Sequence, residues 1–162
     1  MVLRYLKGTA SYNLEYVKGE GQSVVYTDAA WAGCILDRHS YTGFVIMFSG
    51  GPLGWCSRKQ KTVALSATEA EYIAISEAGN DNQAAGKLTE NTDYHNRTNH
   101  IEDYHNRTKH IDVKYHFIRE LHEKKELIVA YCPTENMVAD VLTKRLSKSK
   151  HLSCVQEMGL VC

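Results

Sequence analysis

The stretch LSATEAEYIAISEAGNDNQAAG, residues Leu65–Gly86, places two acidic motifs almost next to each other. Ser66 is a favourable helix N-cap, and Glu69 follows three residues later, which is the spacing of a capping box. Apolar residues then recur at helical spacing as far as Gly79, a residue typical of helix ends. A second, short helix is predicted over Asn82–Glu90. The stretch therefore predicts two helices with no room for a strand between them.

Upstream of this stretch the pattern is that of short β-strands. Ser23–Thr27 (SVVYT) is β-prone, and Thr42–Ser49 (TGFVIMFS) is apolar and rich in β-forming residues. Pro52–Ser57 (PLGWCS) follows the turn residues Gly50 and Gly51. Three successive strands with tight connections predict an antiparallel meander.

Downstream, the pattern predicts helices around one further strand. Asp112–Lys124 is a strongly amphipathic helix, and Leu127–Cys132 (LIVAYC) is a late strand that Pro133 ends. Glu135–Leu146 is predicted to be helical, and a weakly amphipathic tail runs to Cys162. The mixture of strands and helices predicts an α/β fold.

A tandem duplication lies between the two halves of the chain. Asp93–Glu102 reads DYHNRTNHIE and Asp103–Asp112 reads DYHNRTKHID, with only two changes in ten residues. Two units of ten residues cannot bury the core of a solenoid, so the repeat is interpreted as a local duplication over 93–112. The duplication, rather than zinc binding, accounts for its regularly spaced histidines.

The composition is that of one soluble domain. The chain has 162 residues, of which 43% are hydrophobic, enough to bury a core. Nineteen basic residues balance nineteen acidic ones, so nucleic-acid binding would depend on local patches. Five scattered cysteines without CxxC spacing predict free thiols in a reducing compartment. Because no secretory signal or membrane-length apolar run is found, we predict an intracellular location without membrane contact.

Four acidic residues stand where metal chemistry could occur. Asp28 follows the first strand, Glu69 lies in the first helical turn, Asp81 opens the second helix and Asp140 lies in the last helix. Hard divalent cations prefer oxygen ligands, and two ions roughly 3.5–4 Å apart can activate water against a phosphodiester. By spacing alone, however, an aspartate at a strand end or a glutamate in a first helical turn is more often a cap or dipole partner.

Six motifs occur in a fixed order along the chain: YTDAAWAG, WCSRKQK, TVALSATEAEYIA, DNQAA, HNRTKHIDVKYHFIRE and PTENMVADVLTK. Together they resemble the ribonuclease H domain at the end of the Pol polyprotein of copia-type retrotransposons, over nearly the whole chain. The resemblance implies an α/β, ribonuclease H-like fold: a mixed sheet of three antiparallel strands followed by parallel ones, with flanking helices. Residues 1–20 resemble the connection to the reverse transcriptase, 21–146 the ribonuclease H-like domain, and 147–162 form a tail.

The same resemblance implies metal-dependent hydrolysis of the RNA strand of an RNA–DNA hybrid, with Mg²⁺ or Mn²⁺ as cofactor. The implied partners are the hybrid and the reverse transcriptase portion of the same polyprotein. The implied location is a cytoplasmic retroelement particle or the nucleus. By position, the residues that match the catalytic, metal-binding carboxylates are Asp28, Glu69, Asp81 and Asp140.

The opening stretch departs from the family at one point. In the family, a longer helix, a turn and a parallel strand separate the glutamate motif from DNQ, whereas here Asp81 follows Glu69 by twelve residues. A helix from Glu69 to Ala78 travels about 15 Å. Gly79–Asp81 supply at most roughly 11 Å for the return. We therefore expect the helix end and the fourth strand to be missing, and Asp81 to lie away from the other three carboxylates.

Two alternatives to a working nuclease remain open at this point. One is a catalytically inactive remnant that binds nucleic acid weakly through basic clusters. The other is an interaction module without a nucleic-acid role. The clusters are Arg58, Lys59 and Lys61, and Lys144, Arg145, Lys148 and Lys150.

Overall fold

The structure is a computed structural model that describes residues 2–17, 23–90 and 109–161, with the backbone alone described for 83–90 and 109–112. A 3₁₀ turn, Thr134–Asn136, precedes the fourth helix. In chain order the helices and strands are α1 Val2–Gly8, β1 Asn13–Leu14, β2 Ser23–Ala30, β3 Tyr41–Phe48, β4 Gly51–Lys59, α2 Ala67–Glu90, α3 Lys109–Glu123, α4 Asp140–Thr143, α5 Lys148–Glu157 and β5 Leu160–Val161.

β2, β3 and β4 form one antiparallel sheet in that order, which confirms the predicted meander. The central strand β3 is buried at all its inner positions, as expected for a strand covered on both faces. Ser49 and Gly50 connect β3 to β4 with φ of 51° and 80°, the left-handed geometry of a tight hairpin turn. In the register between β2 and β3, Asp28 lies opposite Gly43.

The two faces of β3 pack against different parts of the chain. Phe44 and Ile46 form a buried cluster with Ala78 of α2. Val45 instead packs with Val138, which precedes α4. This division follows from the alternation of side chains along a strand. The core therefore lies on both sides of the sheet, with α2 on one side and the segment leading into α4 on the other.

α2 is one continuous helix of 24 residues, so the predicted helix end at Gly79 and the separate helix at Asn82–Glu90 are wrong. A Cβ on Gly79 would lie 3.3 Å from Leu121 Cδ1 and 3.5 Å from Phe117 Cε1. This glycine is thus a point where α3 packs closely against α2. Glycine costs a helix interior only about 1 kcal/mol relative to alanine, which tertiary packing can offset.

The helices after α2 agree with the sequence in part. α3 confirms the amphipathic helix predicted over Asp112–Lys124. The single helix predicted over Glu135–Leu146 is wrong, because the chain forms the 3₁₀ turn and the separate, short α4. Met137 lies between them with an extended backbone (φ −78°, ψ 96°). The break lets Val138 and Ala139 be fully buried.

The late strand predicted at Leu127–Cys132 is also wrong, since these residues form no regular secondary structure and pair with no strand among the described residues. Within the described ranges, no strand lies along the outer edge of β2, which agrees with the expected loss of the fourth strand. A cleft of about 1070 Å³ occupies this place, lined by β2 and by residues 125–132. A strand needs a neighbouring strand for its ladder hydrogen bonds. Among the described residues, the late segment has no such neighbour. Its Ile128 and Tyr131 are 80% and 88% exposed.

The two ends of the described chain meet. β1 and β5 pair antiparallel, with Asn13 opposite Val161. α5 begins at the N-cap Ser147, whose side chain accepts from Lys150 N. The boundaries at 20 and 146 stay a prediction, and the duplication at 93–112 lies outside the described residues except for the backbone from 109.

None of the helices in the described ranges is long and apolar enough to cross a lipid bilayer.

Candidate active site

Asp28 meets α4 because a glycine lies next to it in the sheet. A Cβ built on Gly43, opposite Asp28, would lie 2.5 Å from Thr143 Cγ2 and 2.9 Å from Leu142 Cβ. Only glycine leaves α4 room to lie this close to β3. The close approach brings Thr143 and Asp140 beside Asp28.

Replacing Gly43 with alanine is expected to push α4 away from the sheet. The added Cβ would clash with atoms of two α4 side chains that lie close to the helix backbone and cannot move without it. Overpacking of this kind costs about 1–3 kcal/mol, so the midpoint of urea unfolding should fall. Gly54→Ala is the matched control, because its added Cβ would meet only Ile46 Cδ1 at 3.9 Å. Equal midpoints for the two variants would contradict this account of Gly43.

Lys144 joins two buried aspartates. Its Nζ donates to Asp28 Oδ1 and to Asp140 Oδ1, each at 2.9 Å. The hydroxyl of Thr143 donates to the second oxygen of Asp28. Burial alone would lower the pKa of Lys144, but its hydrogen bonds to Asp140 and Asp28, and their charges, raise it above its usual value. The lysine is therefore an ammonium ion between the carboxylates of Asp28 and Asp140, which as whole residues are only 6% and 2% exposed.

Glu71, which the sequence reasoning did not select, is a third carboxylate of this group. Its Oε1 accepts a hydrogen bond from Ala29 N at 3.3 Å. Burial raises the pKa of Glu71, and the negative charges of Asp28 and Asp140 raise it further, while the Ala29 hydrogen bond and Lys144 oppose the shift. Glu71 of α2 thus lies within electrostatic range of Asp28, Asp140 and Lys144, while only the two aspartates contact the lysine.

Glu69 caps the start of α2 and does not join the carboxylate group. Ser66 Oγ accepts from Glu69 N at 3.1 Å, and Glu69 Oε2 accepts from Leu65 N at 2.8 Å. The pair therefore caps the helix as predicted, although the glutamate reaches the residue before the N-cap. The expected convergence of Glu69 with Asp28 is not found.

Asp81 lies in other surroundings. Burial raises the pKa of the Asp81 carboxyl. The positive charge of Arg58 on β4 lowers this pKa, and the negative charge of Glu77 raises it. Arg58 Nε also contacts Glu77 Oε2 at 3.2 Å. Ten residues of the same helix separate Asp81 from Glu71, which is about 15 Å along the axis. Of the four predicted carboxylates, the structure therefore brings together Asp28 and Asp140, and Asp81 lies apart as expected.

The carboxylate oxygens of Asp28 and Asp140 are ligands that a hard divalent cation prefers, but their arrangement fits such an ion only in part. Mg²⁺ is commonly held by one or two carboxylates with water completing its shell, and Asp28 and Asp140 could supply these in the place of the ammonium. In the part of the chain that the structure describes, no three Asp, Glu, His or Cys side chains are arranged to hold a metal. The residues therefore fit one ion after Lys144 leaves, and a second ion lacks the ligand expected from Asp81.

The carboxylate group opens onto the cleft beside β2. The residues of the group that line this cleft are Asp28, Glu71, Asp140 and Lys144. Fold and site together define a mixed α/β domain with acidic side chains from a meander strand and two helices at one cleft. This architecture is compatible with a ribonuclease H-like fold without its fourth strand.

Known proteins extend this description. The chain is 38% identical over 182 residues to the retrovirus-related Pol polyprotein from transposon TNT 1-94 of Nicotiana tabacum, and 33% identical over 184 residues to that from transposon RE1 of Arabidopsis thaliana. Each match covers 98% of this chain but only 13% and 12% of the polyproteins. A secreted RxLR effector protein of Plasmopara viticola is 50% identical over 78 residues, which are 48% of this chain and 55% of the effector.

The homologues of this chain over its whole length are thus Pol polyproteins of copia-type transposons, of which it spans about an eighth. No protein-family model matches the chain. No solved structure matches it significantly.

The alignment with the tobacco polyprotein is longer than this chain. It runs over 182 residues, whereas 98% of this chain is about 159 residues. About 23 aligned positions therefore have no counterpart here.

Proposed function

We propose that this chain derives from the ribonuclease H domain of a copia-type Pol polyprotein and that its ancestral reaction is metal-dependent hydrolysis of RNA in RNA–DNA hybrids. The observation that carries the proposal is the meeting of Asp28 and Asp140, beside Glu71, at an open cleft. The Pol homologues support the transposon origin. The chain as it stands is proposed to be catalytically impaired.

Each carboxylate has a distinct part in this proposal. Asp28 and Asp140 hold a divalent ion, Mg²⁺ or Mn²⁺, which when bound supplies an activated water and stabilises the leaving oxygen. Glu71 takes the part that the sequence resemblance gave to Glu69, since it faces the same pair. Its hydrogen bond from Ala29 N fixes its carboxylate relative to β2.

The impairment has two physical reasons. The missing strand leaves Asp81 beside Arg58 and Glu77, so the centre lacks one ligand. Lys144 occupies the place between the two aspartates where an ion would bind. These observations favour, as the second candidate, an inactive remnant that binds nucleic acid weakly.

The basic clusters limit how a hybrid could be held. Arg58 pairs with Glu77, and Lys59 Nζ lies 2.6 Å from Asp37 Oδ2, so both are engaged in ion pairs. Arg145 and Lys148 of the second cluster are exposed. Phosphate contacts are therefore proposed to come from the second cluster. The reverse transcriptase portion of the polyprotein remains a proposed partner, and the proposed location is a cytoplasmic retroelement particle or the nucleus.

The assignment of Glu71 is tested in a restored chain, which we define as this chain with a helix–strand segment of about 23 residues, taken from a Pol relative, inserted between Asn80 and Asp81. Glu71→Gln should lower Mg²⁺-dependent cleavage of a labelled RNA–DNA hybrid by at least the 10–100-fold that is typical for partners of a metal site. Glu69→Gln should leave cleavage within about threefold and change stability little, since glutamine can fill the same capping-box position. The reverse order of effects would return the role to Glu69.

A further inference from the structure

We infer that Lys144 is a built-in cation that holds Asp28 and Asp140 together in the absence of metal and must leave before a divalent ion binds between them. The inference rests on the proposed function in one respect: Asp28 and Asp140 are taken to be the ion-binding pair. It goes beyond that function because it assigns to one lysine the control of metal affinity.

The backbone fixes the position of this lysine. Lys144 N donates to Asp140 O at 2.9 Å and closes the last turn of α4. Its side chain therefore starts from the same turn as Asp140 and also reaches Asp28. With Nζ 2.9 Å from one oxygen of each aspartate, the ammonium lies where a shared cation would lie.

The charges around Lys144 explain why a cation is needed there. Asp28 of β2 and Asp140 of α4 both contact the ammonium, and Glu71 of α2 adds a third negative charge within electrostatic range. Buried carboxylates without a counter-ion are strongly unfavourable. Lys144 is the cation that contacts two of them in this structure. Removing it should therefore weaken the metal-free fold.

The same lysine can be displaced. Its side chain is 44% exposed, whereas those of Asp28 and Asp140 are 9% and 3% exposed. A rotation of the long side chain can carry the ammonium into the cleft without moving α4. A divalent ion and an ammonium cannot occupy the same position, so each competes with the other for the two carboxylates.

If Lys144 competes with metal, replacing it should lower the stability of the metal-free protein but raise its affinity for metal. A salt bridge with only a structural role would not produce the second effect. In the full chain, Lys144→Met should lower the melting temperature without metal. It should also bind Mn²⁺ about tenfold or more tightly than the unmodified chain does, because no ammonium has to be displaced. Saturating Mn²⁺ should then raise the melting temperature of the variant more than that of the unmodified chain.

Mn²⁺ binding is measured by the loss of the free-ion signal in electron paramagnetic resonance, with melting followed by circular dichroism. Lys7→Met is the matched control, since it removes the same charge from an exposed lysine in α1, outside both basic clusters. Its affinity for Mn²⁺ should stay within about threefold of the unmodified chain. Adding Asp28→Asn to the Lys144→Met variant should abolish the gain.

A second measurement needs no folded variant. In the unmodified chain, titration with Mn²⁺ should broaden the Lys144 ammonium resonance first, since Lys144 is the group displaced. Equal Mn²⁺ affinity of Lys144→Met and the unmodified chain would overturn the inference about Lys144 alone. A gain that survives Asp28→Asn, or no Mn²⁺ binding by any of these proteins, would overturn the ion-binding pair and the proposed function with it.

Discussion

The restored chain is expected to unfold with a higher midpoint and a steeper transition than the chain as written, and to cleave RNA in a hybrid when Mg²⁺ is present. The reason lies in the cleft of about 1070 Å³ between β2 and residues 125–132. An inserted strand would pair with the open edge of β2 and give the late segment Leu127–Cys132 a neighbour. Its buried side chains would contribute ~1.5–3 kcal/mol each, against a typical total stability of ~5–15 kcal/mol.

The matched control is an insert of the same length composed of glycine and serine. Such an insert frees the chain between Asn80 and Asp81 but supplies no strand, because glycine-rich segments remain flexible. It should recover neither the steep transition nor cleavage. Urea unfolding and cleavage of a labelled hybrid, both with and without Mg²⁺, give the comparison. A steep transition and robust cleavage by the chain as written would contradict the argument from the missing strand.

Asp28→Asn in the restored chain is expected to reduce hybrid cleavage to background while changing the melting temperature little. The amide keeps the size of the side chain: its oxygen can accept the hydrogen bond from Lys144, and its NH2 group can donate to the hydroxyl oxygen of Thr143. It removes the negative charge that the metal needs, so activity should fall by about 100-fold or more.

Asp37→Asn is the control for this substitution. Asp37 pairs with Lys59 on the surface at 2.6 Å, away from the carboxylate group, so its loss should leave cleavage unchanged. Cleavage is measured at fixed Mg²⁺ with circular dichroism melting of the same samples. Undiminished cleavage by the Asp28→Asn protein would remove Asp28 from the site.

The sequence predicted those elements whose cause is local. The meander follows from β-prone runs joined by tight connections and is present, with the turn that was predicted at Gly50 and Gly51 lying at Ser49 and Gly50. The helix start at Ser66 follows from a capping signal that needs only neighbouring residues. The expected loss of the fourth strand came from comparing the family's pattern with the twelve-residue spacing between Glu69 and Asp81, and no distant contact can change that spacing.

The wrong predictions concern elements that distant residues decide. Gly79 resembles a helix end in sequence, but contact with Leu121 makes it a packing position inside α2. Leu127–Cys132 has the composition of a strand, but a strand requires a neighbour, and the part of the chain that the structure describes supplies none there. Neither outcome could be read from the local sequence, because the deciding partner lies elsewhere in the chain.

The sequence contained enough information to select Glu71 rather than Glu69 as the site glutamate. Glu69 and Glu71 are two residues apart, so on a helix they point about 200° away from each other. Glu71, Ala74 and Ala78 stand at i, i+3 and i+7, and the two alanines are buried. This spacing places Glu71 on the side of α2 that faces the sheet, while the capping box already engages Glu69.

Amide hydrogen exchange along β2 tests the missing strand most directly. Ala29 N points away from β3 to Glu71, and because N–H directions alternate along a strand, those of Val25 and Thr27 should also point into the cleft. In the chain as written, the amides of Val25 and Thr27 should exchange rapidly while that of Tyr26, directed at β3, is protected. The restored chain should protect all three. Equal protection of Val25, Thr27 and Tyr26 in the chain as written would show that the edge of β2 is already paired, which would contradict the account.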